Sequence, residues 1–429
     1  MISQNSPKEA FMKNYVKYCT TLPLTALLLC SGTGCHIEKK IAAAELSSAY
    51  TRQTTEMVTI TDEFESAMAD FSMTLFKKTV TKDARNDLVS PLSAATCLAL
   101  VNNGANGNTR VQIETLFGMQ TEELNRSLYA YTTNLYTGKN CEMNIANSIW
   151  FRENELNVQP DFLQTNADWF NAQVYAAPFN GETVKDINNW CYNKTKGKID
   201  RILDNIEPQS MMYLINALDF DAKWAKEYER KDIEDGVFHN YDDTNTDVKM
   251  LYSEQSRLLY DDQMMGFTLP YAGNEYSFVA LLPDEGVDVY EYAETLTGER
   301  WQTLFENLEY REIHARIPEF SYNMEFSLKK TLQDLGVTDM FSSAADFSKI
   351  GNTNNGTPLF CEEVRQKTVV ELSRNGTKLA AVTLAGVGCA SAPADPAEKV
   401  YITLDRPFLY AIVDNTHNLP LFIGLVNKL

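Results

Sequence analysis

The chain is poor in histidine. Among its 429 residues are four histidines, His36, His239, His314 and His417, and none has a nucleophile or ligand partner close in sequence. There is no Gly-x-Ser-x-Gly nucleophile elbow, no His-Glu-x-x-His zinc helix and no glycine-rich phosphate loop. Only a triad assembled in space from distant residues would leave a route to hydrolysis. The sequence therefore reads as a non-enzyme with no metal and no cofactor.

Patterned cysteine is missing too. Of eight cysteines, Cys19, Cys30 and Cys35 fall in an N-terminal leader, and Cys97, Cys141, Cys191, Cys361 and Cys389 are widely scattered. That odd set argues against a disulfide framework, and no pair has metal-site spacing, so buried free thiols are expected. Basic clusters are absent as well. With 38 basic against 58 acidic residues and a net charge of −20, the chain is unsuited to nucleic acid, and no basic patch for a glycosaminoglycan is visible. The acidity reads as a solvated surface.

What is present is ample core material, 44% hydrophobic and 11% aromatic. No Pro/Gly/Ser linker or fixed-period repeat divides it, so residues 61–429 read as a single domain. Upstream, and counting from Met12 as an alternative start, Lys13 and Lys17 precede an apolar run from Leu22 to Leu29 that is too short to span a bilayer. Small residues then lead to Cys35. Residues 1–34 read as a signal peptide, Cys35 as the lipidated first residue of a bacterial lipoprotein, and 35–60 as a tether. The expected location is outside the cytoplasm, at the cell surface or in the periplasm, with membrane contact only through the lipid at Cys35. Secretion without a lipid is the alternative.

Apolar residues at intervals of three to four, Phe64, Met68, Phe71, Leu75 and Phe76, predict a helix with Asp62 and Glu65 as its N-cap pair. Further helices are predicted over 92–102, 109–118, 161–173, 183–195 and 325–335. Strands are predicted over 144–151, 211–220, 247–252, 266–271, 276–283, 311–321, 360–372, 400–414 and 419–426. Helices dominate the first half and strands the second without strict alternation, so the fold class is α+β with mostly antiparallel sheets.

One stretch fits neither category. Residues 376–399 carry no charge between Lys378 and Asp395, yet lie between two strand-like runs. Its small alternating side chains make it a strand in waiting rather than an ordinary polar loop.

Several blocks occur in a distinctive order. Asn86 to Ser93 leads into a helix and the glycine-rich Asn103–Thr109; Asn216 to Trp224, Pro318 to Phe320 and Leu335 to Phe341 follow, and Leu404 to Leu409 and Pro420 to Val426 close the chain. In this order and spacing the series resembles the serpin family over roughly residues 62–429. The resemblance implies about nine helices around three mostly antiparallel sheets, with an exposed reactive-centre loop at about 374–399. It implies a monomeric suicide inhibitor whose partner is a target protease, trapped as a covalent acyl-enzyme when the cut loop enters the central sheet.

By the family's fixed spacing from Gly376 the cut falls between Ala390 and Ser391, with the bonds after Val387 or Ala392 as alternatives. The hinge is Gly376 and Thr377. Thr377, Leu379, Ala381 and Thr383 would face inward on insertion, and Ala380 outward beside Lys378. Ser90, Ser93, Asn216, Trp224 and Gln366 would make up the sheet-opening region, with Gln366 at a place where many members carry histidine. Arg374, Lys378 and Leu379 depart from the inhibitory pattern. A small residue before the cut suits elastase-like or subtilisin-like serine proteases, with papain-like cysteine proteases as further targets. The alternative is a non-inhibitory serpin-fold binding or scaffold protein whose loop is only a substrate.

Overall fold

The computed structural model describes residues 38–53, 59–83, 85–207, 209–378 and 399–429. Among them are nine α-helices and three sheets. The Asp62–Thr79 helix buries the predicted stripe, and its N-terminus is capped by Thr61, whose side chain accepts from the Phe64 N–H. Pro91–Asn102 is different, because all of its residues are buried. Ser90 caps it, Pro91 supplies the first helical position, and the helix runs through the core.

A seven-stranded sheet runs in the order Ala44–Glu45, Gln173–Ala177, Cys141–Arg152, Met212–Lys223, Gly376–Lys378, Glu363–Ser373, Phe320–Ser327. A nine-stranded sheet holds the buried C-terminal hairpin Phe408–Asp414 and Pro420–Val426. The third sheet has two short strands. The α+β expectation and the serpin architecture hold.

The residue-level expectations need correction in several places. Residues 325–335 do not form one helix: Phe320–Ser327 continues the large sheet, and only Lys329–Asp334 is helical. Cross-strand pairing, Phe320 with Leu372 through Ser327 with Arg365, overrides the helical period. The predicted 400–414 strand is two strands, Val400–Thr403 and Phe408–Asp414, which occupy different places in the nine-stranded sheet. Pro407 between them has no N–H to give a ladder. The predicted 311–321 strand likewise divides after Pro318. The helix Thr121–Asn134 was not anticipated, although Leu124, Leu128 and Tyr131 line its buried face.

The stretch read as a tether is fastened to the body over 38–53. Ala44 and Glu45 pair with Ala176 and Tyr175 at the sheet edge. The Ala42 and Ala43 N–H groups donate to the Asp186 carboxylate at 3.0 and 2.7 Å. An open sheet edge and an acceptor on the Gly181–Lys194 helix satisfy backbone groups that would otherwise face water. Cys97, Cys141, Cys191 and Cys361 are free and buried, and burial pushes the Cys97 thiol up to about 12. They are packing residues rather than nucleophiles.

Candidate functional site: a fork in the seven-stranded sheet

The strands Met212–Lys223 and Glu363–Ser373 are parallel neighbours, paired directly from Tyr213 with Glu363 to Ala217 with Lys367. Above that point they part, and Gly376–Lys378 lies between them as a third strand. It is antiparallel to both: Gly376 faces Lys223 and Thr377 faces Ala222 on one side, while Thr377 faces Leu372 and Lys378 faces Glu371 on the other. Both ladders have the same offset. The three-residue strand therefore enters a position whose register continues down the sheet.

Gly376 is required by contact. Its φ is +150°, and a Cβ there would lie 2.2 Å from the Ala222 carbonyl oxygen and 2.8 Å from the Lys223 Cα. Thr377 is 3% exposed, and its Oγ1 lies 2.5 Å from the Tyr271 hydroxyl. The Tyr271 ring stacks on Trp224 at 4.7 Å with a 7° interplanar angle. The Trp224 Nε1 donates to the Ser373 carbonyl at 2.8 Å, closing the turn between the two strands. Burial holds the Tyr271 phenol well above its ordinary range, so it stays neutral and able to donate.

Arg374, at the head of the turn, faces Glu319. Its backbone N–H and Nε donate to one carboxylate oxygen at 2.9 and 3.2 Å, and Nη2 reaches the other at 3.2 Å. The departure from the family pattern at this position thus has an acidic partner across the sheet. Sequence reasoning missed both Glu319 and Tyr271. The Pro318–Phe320 block and the predicted 266–271 strand were visible, but nothing local indicated that they meet Arg374 and Thr377.

Lower in the sheet a buried polar network spans the paired strands. Gln366 accepts from the Ser90 N–H at 2.9 Å through Oε1 and donates to the Ser90 carbonyl at 3.1 Å through Nε2. The Ser90 hydroxyl donates to the Leu421 carbonyl at 2.8 Å. The Ser93 hydroxyl donates to Asn216 Oδ1, and Asn216 donates on to Asn147 Oδ1 at 2.8 Å. Ser90, Ser93, Asn216 and Gln366 thus meet in one place. The Asn216 amide bonds Ser93 and Asn147, while Asn216 and Gln366 face one another through the strand register. Asn147 completes the chain and was not foreseen. A fully satisfied buried network of this kind resists separation of the strands it ties.

Cys35, Leu379, Ala380, Ala381, Thr383, Val387, Ala390, Ser391 and Ala392 lie outside the described residues.

A sheet that holds a short strand in a fork, above two strands that are still paired, defines a strand-accepting α+β protein. The chain belongs to the serpin family: the family model described as serpin (serine protease inhibitor) matches residues 66–429. Iripin-2 of Ixodes ricinus is 30% identical over 84% of this chain and 92% of its own length. Leukocyte elastase inhibitor A of Mus musculus is 28% identical over 85% and 99%. Among solved structures, the thermophilic serpin tengpin in its native state is 40% identical, with a TM-score of 0.85 over 90% of this chain and 100% of that one.

Proposed function

We propose that the chain is a suicide inhibitor of endopeptidases that works by insertion of its cut loop into the seven-stranded sheet. The observation that carries this reading is the pre-formed start of the inserted strand. Gly376–Lys378 already has ladders to both neighbours, and its register extends along the strands toward Gln366 and Asn216. In this scheme a protease serine attacks the carbonyl of Ala390, the bond to Ser391 breaks, and Ser391 leaves as the amine. The acyl ester is carried away with the loop before water can hydrolyse it.

Burial of the inward aliphatic side chains, together with a new hydrogen-bond ladder, supplies roughly 10 kcal/mol or more, comparable with the net stability of a whole domain. Small residues around the cut favour an elastase-like or subtilisin-like protease, and the relative named as a leukocyte elastase inhibitor supports that choice. Read as a lipoprotein signal, the leader and Cys35 support a location on the outside of a bacterial cell, held by lipid, where foreign proteases are met.

Incubation with an elastase tests the function. The expected product is a complex that survives boiling in detergent. A clipped chain beside fully active protease would overturn the inhibitor reading, and mass spectrometry of the released fragment locates the bond.

A further inference from the structure

The far end of the 376–399 stretch runs into the other large sheet. Val400–Thr403 is the outermost strand of the nine-stranded sheet, held by one parallel ladder from Ile313 with Val400 to Arg316 with Thr403. Toward Leu404 the chain is pinned by burial, since Ile402 and Leu404 both lie in the core. Toward the loop it is not, because Tyr401 is 62% exposed and Lys399 is exposed as well. A four-residue edge strand with a single ladder frays at such an end unless side chains hold it.

Ile313 and Ala315 are buried, so Glu312, His314 and Arg316 lie on the opposite face of their strand. There the His314 ring stacks on Tyr401, with centroids 4.9 Å apart at 17°, and on Tyr252 of the neighbouring strand at 6.0 Å and 27°. Both ring nitrogens are engaged. Nε2 lies 3.0 Å from Glu312 Oε1, and Nδ1 lies 2.6 Å from the Tyr252 hydroxyl. The Lys399 ammonium reaches the same Glu312 oxygen at 2.7 Å, and the bonds from Lys399 and His314 hold the Glu312 carboxyl below its ordinary range. A carboxylate only accepts, so Nε2 carries a proton, and in the neutral ring Nδ1 then accepts from Tyr252. Solvent access ranks these contacts. The Lys399 and Glu312 side chains are 52% and 47% accessible, and an ion pair in that setting contributes little by itself. The His314 side chain is 12% accessible, so its ring and hydrogen-bond contacts are shielded and fix both partners at once.

We infer that His314 is a positioning residue for the inhibitory reaction: it ties down the far end of the loop, Tyr401 by stacking and Lys399 through Glu312. The inference rests on the inhibitor reading given above. At the near end Thr377 is held by Tyr271. At the far end the tie is an imidazole between two tyrosines. A segment tied at both ends has less conformational freedom to lose when a protease seats it, so a loosened far end slows attack without abolishing it.

Residues 379–398 contain no lysine or arginine, so trypsin reports on the two ends separately, after Lys378 and after Lys399. The wild-type chain, His314→Ala and His314→Gln are compared by trypsin cutting, by melting temperature and by the rate of detergent-stable complex formation with an elastase. His314→Ala should be cut several-fold faster after Lys399, with cutting after Lys378 and the melting temperature little changed, and should form complex several-fold more slowly. His314→Gln keeps a planar group, a donor for Glu312 and an acceptor for Tyr252, and should return both rates to near the wild-type values. Equal cutting after Lys399 in the wild type and His314→Ala would overturn the assignment, as would His314→Gln behaving like His314→Ala. Faster cutting at many sites with a lowered melting temperature would also overturn it, because the ring would then serve general stability. Faster cutting after Lys399 without slower trapping would overturn the positioning role. A wild type that elastase only clips removes the inhibitor reading instead, and the trypsin comparison still reports on the tie itself.

Discussion

The Tyr271 hydroxyl and the Thr377 hydroxyl lie 2.5 Å apart in a buried site beneath the Trp224 ring. This contact joins the first inward-facing residue of the loop to the nine-stranded sheet's side of the core. On the proposed mechanism, insertion begins from this pre-formed contact. Thr377→Arg forces a charge into this site, at a cost of several kcal/mol on an order-of-magnitude basis. The expected outcome is conversion from inhibitor to substrate, read as loss of the detergent-stable complex with cleavage retained. Unchanged trapping by the variant would show that insertion is not the mechanism.

Gly376→Ala should expel the hinge, because its Cβ would meet the Ala222 carbonyl at 2.2 Å, and backbone on a central strand yields little. Limited proteolysis at neutral pH provides the check. The variant should be cut within residues 374–378 faster than the wild type, with the rest of the chain equally resistant. Identical cutting would mean that the close approach is relieved cheaply.

The Arg374–Glu319 pair is half exposed on the arginine side, with 46% of that side chain accessible, so its own contribution is small, below about 1 kcal/mol. Charge reversal is more informative than deletion. Arg374→Glu should lower the melting temperature of the intact form by placing two carboxylates together, and adding Glu319→Arg should restore it. A double variant no better than the single one would show that the pair does not hold the turn.

Asp87, the second residue of the family block that opens at Asn86 and three before Ser90, is 5% exposed. Burial pushes its carboxyl from 3.8 to about 7. The fold therefore favours the protonated form. Its contribution to stability is complete below the unfolded value near 3.8 and is lost as the pH rises through about 7. Asp87→Asn should be equal to the wild type at low pH and more stable than it above neutrality, by up to a few kcal/mol. Urea midpoints at pH 5 and pH 8 decide the matter. A wild type that gains on the variant as pH rises would contradict the assignment.

Much of the fold was readable because local and tertiary preferences agree. The Phe64–Phe76 stripe, the helix predicted over 92–102 and the strand before the loop, Glu363–Ser373, form close to where their patterns say. Two of the failures share one cause. Phe320–Ser327 and Val400–Thr403 are set by partners far away in sequence, Leu372 to Arg365 in the first case and Ile313 to Arg316 in the second. A single sequence carries no record of that pairing. The site behaves in the same way. Gly376, Thr377, Trp224, Gln366, Ser90, Ser93 and Asn216 were accessible through family motifs. Tyr271, Glu319 and Asn147 were not, because each acts through a neighbour contributed by a distant strand. Residues 38–53 were misread for the reverse reason: their mixed polar composition resembles a linker, while the docking depends on Asp186 and an open strand edge.

The central claim is that the intact chain is held above its lowest free energy, with Gly376–Lys378 seated in the fork as the start of a longer strand. Comparing the melting temperatures of intact and loop-cut protein under identical conditions tests it most directly. The account predicts that the cut form melts well above the intact one, whereas equal melting temperatures would contradict it.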